Sequence, residues 1–311
     1  MAYLEVTFLE QTLANPFVLE IPPFLTLNEI PFAEKYGGII ISAFPYEIKD
    51  RVIDNSSLAE KYLENIGYWR KSTDKPIIAG IDGVVGQPVE EYCSRIEEAG
   101  ADALHLRLLL FPDDRDFRSA DYEKIFLESV AKVSYSIRIP LVITLPVFFT
   151  NLFGIVEQLF YRGIQGFCPD SGHCVTNIDI EQLEYLPEHV CDMKVNTRFY
   201  LKWISYFSAY FPRANFAVRL GQSLDYDDPI KFLLAGAHVI IEKTTSNQSA
   251  HIEAMTDYLV QWMKKNSFEK IEHFQGQLNF QPILSPSAFE RKCFIDRYLS
   301  LFMDATSQSG E

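Results

Sequence analysis

Short runs of mostly apolar residues alternate along this chain with longer amphipathic stretches. Nearly continuous hydrophobic runs of this length are typical of parallel strands that are buried on both faces. There are eight such runs: Pro16–Leu19, Gly38–Phe44, Pro76–Ile81, Ala103–Leu109, Pro140–Leu145, Gly166–Pro169, Asn215–Leu220 and Ala237–Glu242. Their alternation with predicted helices favours an α/β fold, a closed (β/α)8 TIM barrel, over an open doubly wound sheet.

The stretches between the predicted strands have the spacing of amphipathic helices. In Val89–Ala99 the apolar positions fall on one face, and the helix is predicted to end at Gly100, before the next strand. The same Ala-Gly-Ala turn recurs around Gly236, a weak internal repeat that suits a βα-repeat fold. Further helices are predicted at Asp121–Ser134, Leu152–Arg162, Thr197–Tyr210, Asp227–Ala235 and Ser249–Lys265.

The chain divides into a barrel, residues 1–266, and a C-terminal extension, residues 267–311. In the extension Phe289, Cys293, Phe294 and Tyr298 have helical spacing, so we expect a short helical extension packed on the barrel. In the stretch 199–207, aromatic residues cover more than one helix face. Core packing accounts for most of them, and the surplus leaves open a subunit interface.

Composition and charge limit both the kind of protein this chain can be and the kinds of molecule it can bind. The chain has 311 residues, is 48% hydrophobic and carries a formal charge of −14. It can bury a large core, which excludes disordered and collagen-like chains. The negative charge would repel phosphate backbones and anionic lipid, so we expect neither nucleic acid nor a membrane surface as partner. The longest apolar run, 103–111, is interrupted by His105 and Arg107 and is too short to span a bilayer.

Cysteine usage and the N-terminus favour a cytoplasmic protein. The five cysteines are scattered without a Cys-x-x-Cys pair, and the first residues are acidic where a secretory signal is basic. The stretch from Cys168 to Cys174 includes His173, but its spacing is a poor match to a zinc site. The acidic stretch 113–121 lacks the central glycine and the final glutamate of a calcium loop. We therefore predict no metal.

Several segments carry a resemblance to a known family. Residues 3–6, followed by Asn15-Pro16 and the first strand, resemble the opening of dihydroorotate dehydrogenase-like proteins, and residues 92–106 are similar to that family's passage from its third helix to its fourth strand. The similarity continues at 140–149, 177–183, 232–239 and 288–291. It implies a divergent member of an FMN-binding β/α barrel family with an N-terminal β-hairpin. In that family the flavin lies at the C-terminal mouth of the barrel.

The resemblance also identifies departures at the flavin site. Arg107 stands where the family has an asparagine, and a guanidinium can only donate hydrogen bonds. Thr144 stands where the family has a lysine that stabilises the reduced flavin, and a hydroxyl cannot replace that charge. Leu220 replaces the first glycine of the phosphate-binding pair and Gly221 keeps the second. Residues 111–116 supply neither the Cys nor the Ser base of related dehydrogenases.

The remaining family positions complete a predicted vestigial or remodelled pocket. It comprises Glu20, Ser42, Arg107, Thr144, Ser171, Arg219, Gly221, Lys243 and Thr244. No residue is assigned a catalytic role. Arg107, Arg219 and Lys243 either form a pocket for a small anionic ligand or pair with Glu20, Asp170 or Glu242 and fill the vacated cavity.

These departures predict that flavin redox chemistry has been lost and that no cofactor is bound. The first hypothesis is a non-redox binding or interaction protein, in a homodimer or in a complex with a related protein. An FMN-dependent oxidoreductase for a dihydropyrimidine-like substrate is the second. The third is a non-redox barrel enzyme that clamps a small anionic substrate with Arg107 and Arg219.

Overall fold

Eight parallel strands close into a barrel in the computed structural model, which describes residues 2–45, 55–85, 89–110, 115–146, 149–170, 177–186, 197–220, 225–244, 248–280 and 286–307. The strands are β3 (Phe17–Ile21), β4 (Gly38–Pro45), β5 (Ile77–Val84), β6 (Ala103–Leu109), β7 (Leu141–Pro146), β8 (Gly166–Asp170), β11 (Asn215–Leu220) and β12 (Val239–Lys243). They follow one another around the barrel in chain order, and β12 pairs with β3 to close it.

Helices follow the strands in the described part of the chain. A 3-10 helix, Pro31–Lys35, lies between β3 and β4. The α-helices that follow the other strands are α1 (Asn55–Ser72), α2 (Glu90–Glu98), α3 (Ser119–Ser136), α4 (Leu152–Tyr161), α5 (Thr197–Tyr210), α6 (Asp227–Ala235) and α7 (Gln248–Lys265). Two short hairpins are added, β1 (Val6–Phe8) with β2 (Gln11–Leu13), and β9 (Asn177–Asp179) with β10 (Glu184–Leu186).

The predicted (β/α)8 TIM barrel with an N-terminal β-hairpin is therefore confirmed. The bounds of β6, β11, α5 and α6 agree with the sequence prediction, and the other predicted elements differ by a few residues at their ends. Helix α1 and the β9–β10 hairpin were not predicted.

Two glycines close helices by the same backbone conformation. Gly100 and Gly236, the centres of the repeated Ala-Gly-Ala turn, have φ angles of 104° and 108°. This left-handed region carries no steric penalty for glycine. At Gly236 an added Cβ would also lie 2.4 Å from the Ser208 side chain, so both conformation and space require glycine there.

The N-terminal hairpin and the start of the C-terminal extension both contact the barrel. Leu9, in the turn of the β1–β2 hairpin, donates its backbone N–H to the Asn215 side chain at the first residue of β11. Ile271 and Phe274 are fully buried, so the start of the extension packs on the barrel. The last element, α8 (Pro286–Ser307), is a helix of 22 residues, longer than predicted. None of the described helices has the length and apolar character to cross a membrane.

Candidate functional site

The C-terminal ends of the barrel strands bring polar side chains together inside the barrel. Alternation along each strand turns every second side chain inward. The inward polar residues near these ends are Glu20, Ser42, Asp82, His105, Arg107, Thr144, Asp170 and Arg219, which we call the mouth network. In TIM barrels this end of the barrel is where ligands bind and chemistry occurs.

Arg219 is the centre of the mouth network. Its Nε lies 2.9 Å from Glu20 Oε2 on β3, and its Nη1 donates to Asp170 Oδ2 on β8 at 2.8 Å. Because β12 separates β11 from β3, the contact with Glu20 crosses the barrel interior. Burial alone would lower the pKa of Arg219, but the charges of Glu20 and Asp170 outweigh burial and hold that pKa above its ordinary value. The guanidinium is therefore a paired, permanent cation.

Glu20 has a second partner besides Arg219. The Ser42 hydroxyl on β4 donates to Glu20 Oε1 at 3.1 Å. The Glu20 backbone carbonyl accepts from the Thr244 hydroxyl at 2.8 Å and from the Thr244 N–H at 2.9 Å. Glu20 thus connects β3 to β4, to β11 and to the residue after β12. Its contact with Arg219 matches the pairing with Glu20 that the sequence analysis left open as one of two readings.

Arg107 is paired with a carboxylate on the neighbouring strand. Asp82 on β5 stands opposite Arg107 on β6 in the parallel register. Nε of Arg107 donates to Asp82 Oδ1 at 2.8 Å, and Nη2 donates to Asp82 Oδ2. Two parallel bonds to one carboxylate form the strongest geometry available to a guanidinium. Of the two readings left open for Arg107, the structure favours pairing, but the partner is Asp82, which the sequence analysis did not name.

A neutral hydrogen-bonded pair lies deeper in the barrel. His105 Nε2 is 2.9 Å from the Thr144 hydroxyl, and both residues are buried. Burial first, and then the positive charges of Arg219 and Arg107, lower the pKa of His105 to about 3. The imidazole is therefore neutral at physiological pH and is not a proton-transfer group there. The Thr144 hydroxyl is engaged in this contact.

The last two residues of β12, Glu242 and Lys243, have different surroundings. Glu242 points outward, where it accepts a hydrogen bond from the Tyr36 hydroxyl at 2.9 Å and lies 3.5 Å from His251 Nε2 on α7. The contact between His251 and the Glu242 carboxylate raises the pKa of His251 above its ordinary value. Lys243 is exposed. Glu242 is therefore not a partner of the mouth cations, although the sequence left it open as one.

Some predicted positions cannot be placed in the mouth network. Ser171 and Gly221 lie outside the described residues, as do His173, Cys174 and residues 111–114. Within the ranges that the structure describes, no group of three or more His, Cys, Asp or Glu side chains could hold a metal ion. The two network residues that the sequence analysis missed as site residues, Asp82 and His105, share one signal: a polar side chain inside an otherwise apolar strand.

The described residues of the mouth do not fit a flavin mononucleotide. An anionic reduced flavin needs a nearby positive charge, and its phosphate needs free donors. In the mouth network both guanidiniums are bonded to carboxylates, and the three carboxylates outnumber the two guanidiniums. The hydroxyl at position 144 is bonded to His105. The two guanidiniums are therefore engaged with carboxylates, and the exposed Lys243, which stands opposite Glu20 in the parallel register, is a described cation of this end that lies outside those pairs.

No family model matches this chain, and no curated protein matches it.

Proposed function

We propose that this chain is a divergent dihydroorotate dehydrogenase-like barrel that has lost flavin redox chemistry and works as a non-redox binding or interaction protein. The observation that carries the proposal is the pairing of Arg219 with both Glu20 and Asp170. These three side chains come from three different strands and meet inside the barrel mouth, where the family's flavin would lie. Their contacts engage three N–H groups of Arg219 with carboxylates of the barrel itself.

The chemistry of the mouth network supports a structural role for its charges. A buried cation with two carboxylate partners holds three strands in a fixed arrangement. The imidazole of His105 is neutral and buried and its Nε2 is bonded to Thr144, so it does not serve as a proton-transfer group at neutral pH. The paired guanidiniums and the bonded imidazole therefore act on one another and on the strands that carry them.

The experiment uses the full purified chain. Its visible absorption is recorded before and after denaturation, and the supernatant is assayed for released flavin. FMN is then titrated into the native protein, and the melting temperature is followed with FMN and with inorganic phosphate. We expect a colourless protein, no saturable FMN binding and no shift of the melting temperature with either ligand.

Two results would overturn this proposal. Stoichiometric flavin in the purified protein, or saturable FMN binding, would establish the oxidoreductase alternative. A melting temperature raised by inorganic phosphate would indicate a site for small anions and would favour the non-redox enzyme alternative. Riboflavin, which lacks the phosphate, is the matched control, because a true FMN site that uses the phosphate binds it more weakly.

A further inference from the structure

The carboxylate of Glu242 is buried between the barrel wall and helix α7. Its side chain is only 4% exposed. The fully buried Tyr36 donates its hydroxyl to Oε2 at 2.9 Å, and Nε2 of His251, whose side chain is 30% exposed, lies 3.5 Å from Oε1. A buried carboxylate is costly unless donors and positive charge surround it. Of these two partners, histidine is the residue type that gains a positive charge near neutral pH.

The contact with His251 holds one flank of the start of α7. His251 is the fourth residue of this helix, and the adjacent Ile252 is fully buried in the core. On another flank, Lys35 Nζ lies 2.8 Å from Ser249 Oγ and 2.6 Å from Glu253 Oε1. Positions 249 and 251 are about 200° apart around a helix. Lysine and glutamate side chains keep their charges near neutral pH. The start of α7 therefore has one attachment that is independent of pH and one that depends on the charge of His251.

Further titratable groups near His251 belong to α6 and to α7 itself. The ring of Tyr226, just before α6, lies 5.7 Å from the imidazole, and Asp227 accepts a hydrogen bond from the Tyr258 hydroxyl at 2.5 Å. The contact with Glu242 raises the pKa of His251 above its ordinary value of 6.5, although partial burial lowers it. A group whose pKa rises on folding contributes stability that is complete below its ordinary pKa and is lost as the pH rises through the folded value. The contact should therefore hold α7 in mildly acidic solution and weaken in basic solution.

We propose that Glu242 and His251 form a pH-dependent latch that holds the start of α7 on the barrel in mildly acidic solution and loosens it as the pH rises. This latch lies next to the mouth network. Thr244, two residues after Glu242, donates both its N–H and its hydroxyl to the backbone carbonyl of Glu20. The strand end that carries the latch is thereby bonded to the residue that pairs with Arg219. The latch adds a regulatory contact to the interaction role proposed above, and it does not depend on whether the chain binds a flavin.

The test combines two measurements on the full chain. The pKa of His251 is measured from the proton NMR titration of its ring. The opening of α7 is measured by hydrogen exchange of its first turns, corrected for the intrinsic pH dependence of exchange. We expect a pKa above 6.5. We also expect more frequent opening at about pH 8.5 than at about pH 5.5, by about tenfold for each unit by which the pKa is raised. The second half of α7 should open equally at both pH values.

Substitutions separate the charge of His251 from its bulk. His251→Gln keeps a donor but carries no charge, so at both pH values its α7 should open as often as that of the wild type in basic solution. His251→Lys carries a permanent charge, so its α7 should open equally rarely at both pH values. Glu242→Gln keeps an acceptor for the Tyr36 hydroxyl and should remove the rise in the pKa of His251. The matched control is His273→Gln, the same chemical change at an exposed histidine that follows α7, and it should keep the wild-type pH dependence.

The latch is refuted if the start of α7 opens equally at both pH values in the wild type. A pH dependence that persists in His251→Gln, or a pKa of His251 at or below 6.5, would also refute it. Circular dichroism shows whether each variant folds, and the wild-type measurements decide the question by themselves if one does not. Flavin content is measured separately, so the latch and the loss of flavin chemistry can fail independently of each other.

Discussion

Replacing Arg219 by methionine tests whether the mouth network is structural. Methionine keeps most of the length and apolar volume of the side chain but removes its charge. Arg219 exposes 15% of its side chain, Glu20 8% and Asp170 18%, so all three charges are largely shielded from water. The substitution leaves two carboxylates facing each other across the vacated guanidinium position. We expect a strong loss of stability.

The magnitude follows from the cost of an unpaired buried charge. Removing one partner of a buried ion pair costs about 3–5 kcal/mol, because the charge that remains is shielded from water without compensation. Unfolding entropy of about 2.1 cal/mol/K per residue converts 1 kcal/mol to about 1.5 °C for a chain of this length. Arg219→Met should therefore lower the melting temperature by about 5–8 °C.

The assay is unfolding followed by circular dichroism, by heat and by urea. Arg213→Met is the matched control, since it makes the same chemical change at an exposed residue just before β11. It should shift stability by less than about 0.5 kcal/mol. Adding Glu20→Gln to Arg219→Met should recover part of the loss, because it removes one of the two stranded charges. If Arg219→Met melts within about 1 °C of the control, the network does not stabilise the fold and our argument for a filled mouth fails.

Two further predictions concern a turn and a buried imidazole. Gly236→Ala should cost at least about 2 kcal/mol, because alanine at φ 108° is strained and its Cβ would meet Ser208 at 2.4 Å. Gly163 is the control, because it has φ 91° and no atom lies within 4 Å of an added Cβ, so Gly163→Ala should cost only about 1 kcal/mol. If urea unfolding shows the same loss of stability for Gly236→Ala and Gly163→Ala, the steric argument is contradicted. Burial lowers the pKa of His105 to about 3 in the folded chain. Between about pH 6.5 and pH 3 the unfolded chain therefore binds a proton at this residue that the folded chain does not bind. Because of this difference, the free energy of unfolding falls as the pH is lowered through that range. His105→Gln should reduce the stability lost between pH 7 and about pH 4.5 by roughly 2–3 kcal/mol in urea unfolding, and an unchanged loss would show that this imidazole is not the group responsible.

The barrel could be predicted from the sequence because its strands are almost entirely apolar. Runs such as 38–41 and 141–143 have no amphipathic alternative, and the Ala-Gly-Ala turns mark where helices end. Helix α1 was missed although Tyr62, Ile66 and Trp69 have helical spacing and are fully buried, because Gly67 and many polar residues mask the pattern. The β9–β10 hairpin gives no burial alternation, since the described apolar side chains near its turn are exposed.

The mouth network was predictable in its residue types but not in its pairing. Glu20, Arg107 and Arg219 could be located at strand ends from alternation alone. Which carboxylate each arginine meets depends on the parallel register and on which strands face each other across the barrel. Asp82 stands directly opposite Arg107 only because β5 and β6 pair in that register, and no local pattern encodes the register of two strands about 25 residues apart.

The paired arginines also bear on the anionic-substrate alternative. A free anion that takes the Arg219 donors now bonded to Glu20 and Asp170 must displace those carboxylates, which are held on strands of the same barrel. A free ligand loses translational and rotational freedom when it binds, at an estimated cost of about 4–15 kcal/mol. A carboxylate that is already part of the folded barrel does not pay this cost when it pairs with Arg219. Displacement would also leave a carboxylate without its partner in a partly shielded site. The pairing therefore disfavours small anions at the donors of Arg219 that Glu20 and Asp170 already use.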